Sequence, residues 1–273
     1  MGQPSDTSAE ARRVLVEAYR HMPLGQKWAQ LGEMYADARA LHAAGVRLRE
    51  PGATPGEVHR AWLRVHLGVT PADTMREPAV DPEAANLRGV REVVAVLDRL
   101  GIRYVLGGSL ASSLHGIDRY TRDADVTAEP FPGKEAELVA GFGADYYISL
   151  SAVRDALRRR STFNIINTRT GFKVDVFVRK DDPFEQSALE RRIELRLPDA
   201  PDQPLYIQSP EDVILFKLRW YRLGGESSQH QWRDVLGVLQ VQAGRLDDAY
   251  LDRWAAELNV ADLLDRARRE STI

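Results

Sequence analysis

The 273-residue sequence contains no cysteine, which excludes a disulfide framework, a zinc site built on thiolates and a cysteine nucleophile. It also lacks any apolar run approaching the roughly 20 residues that span a bilayer, and Met1 to Asp6 show no basic segment leading into an apolar core. The expectation is a cytoplasmic protein with no membrane partner. Charge of either sign is not in excess: 37 Lys and Arg against 40 Asp and Glu give a formal net charge of -3, so the chain has no global attraction for nucleic acid and any polyanion contact requires a local basic patch. There is no internal repeat and no low-complexity tract. What is present, 44% hydrophobic and 28% charged residues, is the composition of an ordinary folded chain, and the length exceeds one average domain.

Residues 1–67 read as helical, with apolar residues at helical spacing from Val14 to Tyr19 and again through Trp28, Leu31, Met34, Tyr35, Ala38 and Leu41, punctuated by Pro23 and Pro51. A third helix is expected after Thr54, with Thr54 as N-cap, Pro55 at the first helical position and Glu57 completing a capping box. Residues 68–86, with Pro71, Pro78 and Pro82, read as a linker. From Leu87 strands alternate with helices. The pattern predicts a helix ended by Gly101, a strand over Ile102 to Leu106, a short helix from Ser109 to Leu114 and a strand through Asp123 to Thr127. A helix near Glu135 to Ala140, a strand around Tyr146 to Ser149, a helix from Ser151 to Arg160, and strands Phe163 to Asn167 and Lys173 to Val178 follow. Residues 87–208 therefore predict an α/β (α+β) core with a mixed sheet flanked by helices. Residues 209–273, opened by the capped start Ser209-Pro210-Glu211-Asp212, read as a helical C-terminal subdomain.

The run Gly107-Gly108-Ser109, His115-Gly116, Arg119-Tyr120-Thr121-Arg122-Asp123-Ala124-Asp125 carries the chemistry. A strand alternates faces, so Asp123 and Asp125 point the same way, and clustered carboxylates are what divalent metals bridging triphosphate oxygens require. Gly107-Gly108 falls between a strand and a helix, where a backbone without Cβ atoms approaches phosphate and a helix N-terminus attracts anions. Asp175, alternating with Val174 and Val176, supplies a third carboxylate. Transfer of a nucleotide to a hydroxyl needs two divalent ions that clamp the attacking and leaving oxygens. Asp123 and Asp125 are placed to bind both, and Asp175 to touch the ion beside the acceptor and act as general base. Without the glycine turn and the third carboxylate, the paired aspartates would fit metal-dependent glycosyltransferases or a solvated strand edge equally well.

The combination closely resembles the DNA polymerase beta-like nucleotidyltransferase superfamily, with its Gly-Gly or Gly-Ser turn, Asp-x-Asp strand and third acidic residue among apolar ones. Within it, the run from Gly107 to Asp125, together with Phe163-Asn164, Gly171 to Phe177 and Ser209 to Lys217, is similar to bacterial nucleotidyltransferases typified by abortive-infection toxins. The resemblance covers about Leu87 to the C-terminus. It implies that Gly107, Gly108 and Ser109 hold the triphosphate, that Asp123, Asp125 and Asp175 hold two magnesium ions (manganese as the alternative), and that a basic residue of the C-terminal helices, matched by Lys217, reaches the phosphates. It also implies an NTP as donor, with tRNA or other RNA as acceptor in a toxin–antitoxin setting. An aminoglycoside or lincosamide hydroxyl, a protein hydroxyl, or a non-catalytic nucleotide-binding regulatory role are the alternatives. The N-terminal helices look like the small helical proteins encoded beside such transferases, and stand as a surface for a cognate antitoxin or for self-association.

Further basic residues frame these motifs. Arg119 and Arg122 stand ahead of the aspartates, placed either to neutralise phosphate or to pair with the carboxylates. Arg154, Arg158 and Arg159 lie on one predicted helix and form a patch for RNA acceptor phosphates, or else a solvated face. His115 reads as packing or capping more than acid–base chemistry. Trp28, Trp62 and Trp232 read as core, and Arg233-Asp234 as a helix ion pair.

Overall fold

The computed structural model describes residues 8–67 and 85–272. Ser8 accepts from the Ala11 amide and starts α1 (Ala9–His21), Pro23 precedes α2 (Leu24–Arg49), and the expected capping box opens α3 (Pro55–Leu67). In that box the Thr54 amide donates to Glu57 Oε2 at 2.8 Å while the Glu57 amide donates to Thr54 Oγ1 at 3.3 Å, so two amides without helical partners are satisfied reciprocally. The apolar faces of α2 and α3 do not form a core of their own. Trp28, Leu31 and Tyr35 of α2 and Trp62 and Leu63 of α3 are buried in one cluster with residues of the sheet. Of the expected linker, 68–84 lies outside the described residues, and its last two positions open α4 (Ala85–Arg99).

The sheet-building region runs β1 (Tyr104–Leu106), α5 (Gly108–His115), β2 (Asp123–Ala128), α6 (Glu135–Ala140), β3 (Tyr146–Tyr147), α7 (Leu150–Arg159), β4 (Thr162–Asn167) and β5 (Lys173–Val178). It continues through α8 (Pro183–Glu190), β6 (Ile193–Leu197) and β7 (Ala200–Ile207). The strands form one mixed sheet in the order β3-β4-β5-β2-β1-β7-β6. Strand β2 runs parallel to β5 and antiparallel to β1, which places it inside the sheet with both edges paired. Ala124, Val126 and Ala128 on one side of β2, and Val174, Val176 and Val178 on the same side of β5, are buried. Each valine-sized side chain so removed from water stabilises the fold by about 1.5–3 kcal/mol, and a one-residue slip would turn this whole set to the other face. The hydrophobic alternation thus fixes which way the aspartates point.

The sequence pattern did not anticipate α8, β6 and β7. Strand β7 carries Pro201 and Pro204, residues that argue against a strand interior. It tolerates them because its first half is exposed and it meets β1 only at Leu106 and Ile207.

After β7 the chain is helical, as expected: α9 (Pro210–Leu223), α10 (Gln229–Val241), α11 (Asp248–Glu257) and α12 (Ala261–Ser271). Ser209 caps α9 by accepting from the Asp212 amide at 3.1 Å. These helices build a second apolar cluster that takes in Ala111 of α5 and Phe184 of α8. Leu110 and Leu114 of α5 belong to the first cluster. Helix α5 is therefore the wall shared by sheet and C-terminal helices, and the site forms at its N-terminal end.

Candidate active site

The parallel register sets Asp123 beside Lys173 and Asp125 beside Asp175. Because the alternate residues of both strands are buried, Asp123, Asp125, Lys173 and Asp175 share the opposite face. The expected convergence of three carboxylates is what the backbone produces. Two residues given no role by the sequence complete it. Asn164, the β4 neighbour of Asp175, donates its amide to Asp175 Oδ1. Lys173 Nζ lies 2.5 Å from Asp175 Oδ2 and 3.8 Å from Asp123 Oδ2. Thr121 Oγ1 is 3.2 Å from Asp123 Oδ1. Burial first, then the charges of Asp123 and Asp175, push the Asp125 carboxyl up to about 6, against the opposing pull of Lys217 and Lys173.

The glycine turn sits directly on this face. The Gly107 amide donates to the Asp125 carbonyl oxygen at 2.9 Å, tying the start of α5 to β2. Gly108 has φ of +57°, and a Cβ placed there would stand 1.7 Å from Asp125 Oδ2. Only glycine permits both the left-handed backbone and the approach of the carboxylate. The first turn of α5 has no side-chain cap and begins at Gly108, against the Asp125 carboxylate; the amides of a helix's first turn have no partner within the helix.

Arg119 and Lys217 converge on Asp234 of α10. Arg119 Nε is 2.9 Å from Asp234 Oδ1, Arg119 Nη2 is 3.0 Å from Oδ2, and Lys217 Nζ is 2.6 Å from the same Oδ2. Arg119 Nη2 also donates to Ser109 Oγ at 2.5 Å, and Gln231 Oε1 accepts from Lys217 at 3.1 Å. The Arg233-Asp234 ion pair is thus corrected: Asp234 pairs with Arg119 and Lys217, across elements. Burial works to raise the Asp234 carboxyl, but the hydrogen bonds from Arg119 and the charge of Lys217 outweigh it and hold it below its ordinary range. Lys217 is only 4% exposed, and its desolvation lowers the ammonium below the usual lysine value in spite of Asp234. Lys217 is therefore a walled-in charge whose field reaches Asp125, while the partly exposed Arg119 forms the rim.

The loop from Ile117 to Arg122, which carries Arg119 into the site, is held on both sides by the N-terminal helices. Ile117 packs on Val16 and Tyr19, and the Tyr19 hydroxyl donates to Asp118. His66 Nδ1 faces the Trp62 carbonyl at 3.1 Å, so that nitrogen carries the proton and Nε2 accepts from the Tyr120 hydroxyl at 2.7 Å. The Trp62 indole donates to the Thr170 carbonyl at 3.1 Å, fixing the turn ahead of β5.

Arg154, Arg158 and Arg159 are not brought to this face. Helix α7 is anchored through Val153 and Ala156 in the cluster that holds Val174, Val176, Phe163 and Ile165, on the side of the sheet away from Asp175 and Asn164. Arg158 and Arg159 both pair with Asp155, at 2.9 and 3.1 Å. His115 is buried, with Nε2 2.7 Å from the Gln208 carbonyl, which makes it a packing residue. Arg122 is exposed.

The donor set fits a divalent cation in kind: three carboxylates on adjacent strands, one of them raised by burial and by the charge of the other two. Among the described residues no three such groups stand in a ready-made cage, and the Lys173 ammonium sits 2.5 Å from Asp175 and 3.8 Å from Asp123.

No family model matches the chain, and no curated protein matches it. Among solved structures it is similar to an antigenic nucleotidyltransferase-like protein from Paracoccidioides brasiliensis, at 20% identity over 67% of this chain and 92% of that one, with a TM-score of 0.44. It is also similar to the antibiotic-resistance factor ANT(2'')-Ia, at 13% identity over 67% of this chain and 96% of that one, with a TM-score of 0.37. At these values the chemistry rests on the residues themselves.

Proposed function

We propose that the protein transfers a nucleoside monophosphate from an NTP to an acceptor hydroxyl, with pyrophosphate leaving. The observation that carries this reading is the register of β2 and β5, which sets Asp125 beside Asp175 on the face where Asp123 also lies, with the Gly107-Gly108 turn against it. Asp123 and Asp125 would hold two magnesium or manganese ions, and Asp175 the one beside the acceptor. When bound, such ions supply Lewis-acid polarisation of the phosphate and hydroxyl oxygens. The acceptor oxygen forms a bond to the α-phosphorus while the α-phosphorus bond to the bridging oxygen of the pyrophosphate breaks. The hydroxyl proton passes to Asp175, which Asn164 keeps oriented. The uncapped start of α5 receives triphosphate oxygens through its amides, and Arg119 and Ser109, already hydrogen-bonded, form the adjoining wall.

For the acceptor, the resemblance to toxin-like transferases supports an RNA end. The Arg154 to Arg159 patch lies across the sheet from the carboxylates, so an RNA that uses it would have to wrap around the β3 edge. The experiment is incorporation of label from each α-labelled NTP into total RNA, protein and a panel of aminoglycosides and lincosamides, with Asp123→Ala as control. Label in the RNA fraction that vanishes in the variant supports the reading. Label in the antibiotics reassigns the acceptor, and NTP binding without label anywhere points to a regulatory protein.

A further inference from the structure

We propose that Lys173 is a displaceable internal counter-cation, whose ammonium holds the Asp123 and Asp175 carboxylates until a divalent cation arrives and then leaves them. This rests on the metal-dependent reading of the same site. Lys173 is two residues before Asp175 on β5, hence on its face, and is the direct cross-strand neighbour of Asp123 on β2. From there its ammonium reaches Asp175 at 2.5 Å and Asp123 at 3.8 Å. A cation claimed by these two carboxylates has to occupy the same space.

Two lysines serve this site, and their surroundings differ in the way such a role demands. Lys217 is enclosed, its side chain 5% exposed, and pinned to Asp234 and Gln231. Lys173 has a side chain 34% exposed, bonded only through its ammonium to acids of the site among the contacts described, and its four-carbon stem gives it an exit to water. One positive charge among three carboxylates leaves net negative charge, so the ammonium steadies the carboxylates without matching a divalent ion. A doubly charged ion with oxygen ligands gains more from the same carboxylates than the ammonium does. The released ammonium then stands at the rim as a positive charge beside the incoming polyphosphate. Asp175 exchanges Lys173 for cation while its bond from Asn164, on the other carboxylate oxygen, stays in place.

Mn2+ binding, measured by calorimetry and by electron paramagnetic resonance on the full chain, tests this with wild type, Lys173→Met, Lys173→Gln, Lys173→Arg and Asp123→Asn. Removing the competing charge is expected to tighten Mn2+ binding at least roughly tenfold in the Met and Gln variants, a change of ~1.4 kcal/mol. Lys173→Arg should stay near wild type. Without Mn2+, Lys173→Met should melt below wild type, and saturating Mn2+ should close that gap. A measurement free of variants accompanies these: in wild type with 13C-labelled lysine, the Lys173 Cε resonance should move on addition of Mg2+. Unchanged or weaker Mn2+ affinity in folded Lys173→Met and Lys173→Gln, or a Lys173 resonance indifferent to Mg2+, overturns the proposal. If binding is abolished by Asp123→Asn yet indifferent to Lys173, this inference alone fails. If wild type and Lys173→Met bind no Mn2+, the reading of the site fails with it.

Discussion

The carboxylate of Asp125 lies where the side chain of any residue but glycine at position 108 would stand, with the ideal Cβ 1.7 Å from Oδ2 and the Gly108 backbone at φ of +57°. The strand proposed to hold the metal ions and the helix start proposed to receive phosphate are therefore fitted to each other at one atom. Gly108→Ala has to displace the carboxylate or unwind the first turn of α5. The left-handed backbone costs an alanine about 1–2 kcal/mol and overpacking adds about 1–3 kcal/mol. Urea denaturation should show a loss of about 2–5 kcal/mol, and triphosphate binding should fall beyond what the lost stability explains.

Asp234 should prove the most costly polar residue of the C-terminal helices. Its removal leaves the Lys217 ammonium buried and Arg119 released. Breaking a buried pair by removing one partner costs about 3–5 kcal/mol, whereas replacing both with apolar groups is often near neutral. Asp234→Leu is expected to lose stability in that range, and Asp234→Leu with Lys217→Met to recover most of it. A double-mutant cycle in urea checks this, and additive losses would mean that the two residues do not act as a pair.

Asp125 should be a liability to stability at neutral pH. Its folded value near 6 lies above the ordinary carboxylate range, so the native state binds more protons than the unfolded chain between about pH 4 and 6. The penalty is fully present above that window and disappears as the pH falls through it. Asp125→Asn should therefore stabilise the apo protein on the order of 3 kcal/mol at pH 8. The gain should fade toward pH 4, as thermal melts across pH would record.

Three histidines act in the opposite sense. Burial is the first cause that pushes His115, His59 and His66 each down to about 4. Their unfolded forms take up protons near pH 6.5 while the folded forms resist until about pH 4. Stability is complete above pH 6.5 and is lost as the pH falls from there toward 4, each group contributing a slope of up to ~1.4 kcal/mol per pH unit. The melting temperature should fall through this window, and His115→Gln should make the fall shallower by about one proton's worth.

The sequence made legible what depends on period and on chain-local chemistry. The Thr54 capping box, the alternation that buries Val174 and Val176 and turns Asp175 to the opposite face, and the helix started by Ser209 are all decided within a few residues. The three carboxylates were readable because each lies in such a pattern. Asn164 and Asp234 were not, since the first earns its place by register against β5 and the second by packing of α10 on α9. Lys173 had a usable signal, its two-residue spacing from Asp175, but lysine on a half-exposed strand face is ordinarily solvated. Strand β7 was hidden by Pro201 and Pro204, and the clamp of α1 to α3 on the loop from Ile117 to Tyr120 is wholly tertiary.

The account turns on attack at the α-phosphorus directed by Asp123, Asp125 and Asp175. The most direct test supplies the same NTP labelled in turn at the α- and γ-phosphate, with Mg2+ and cellular RNA, to wild type and to Asp175→Asn. The account predicts transfer of the α label only, one pyrophosphate released for each nucleotide transferred, and no transfer by the folded variant. Transfer of the γ label, or α-label transfer undiminished in Asp175→Asn, would contradict it.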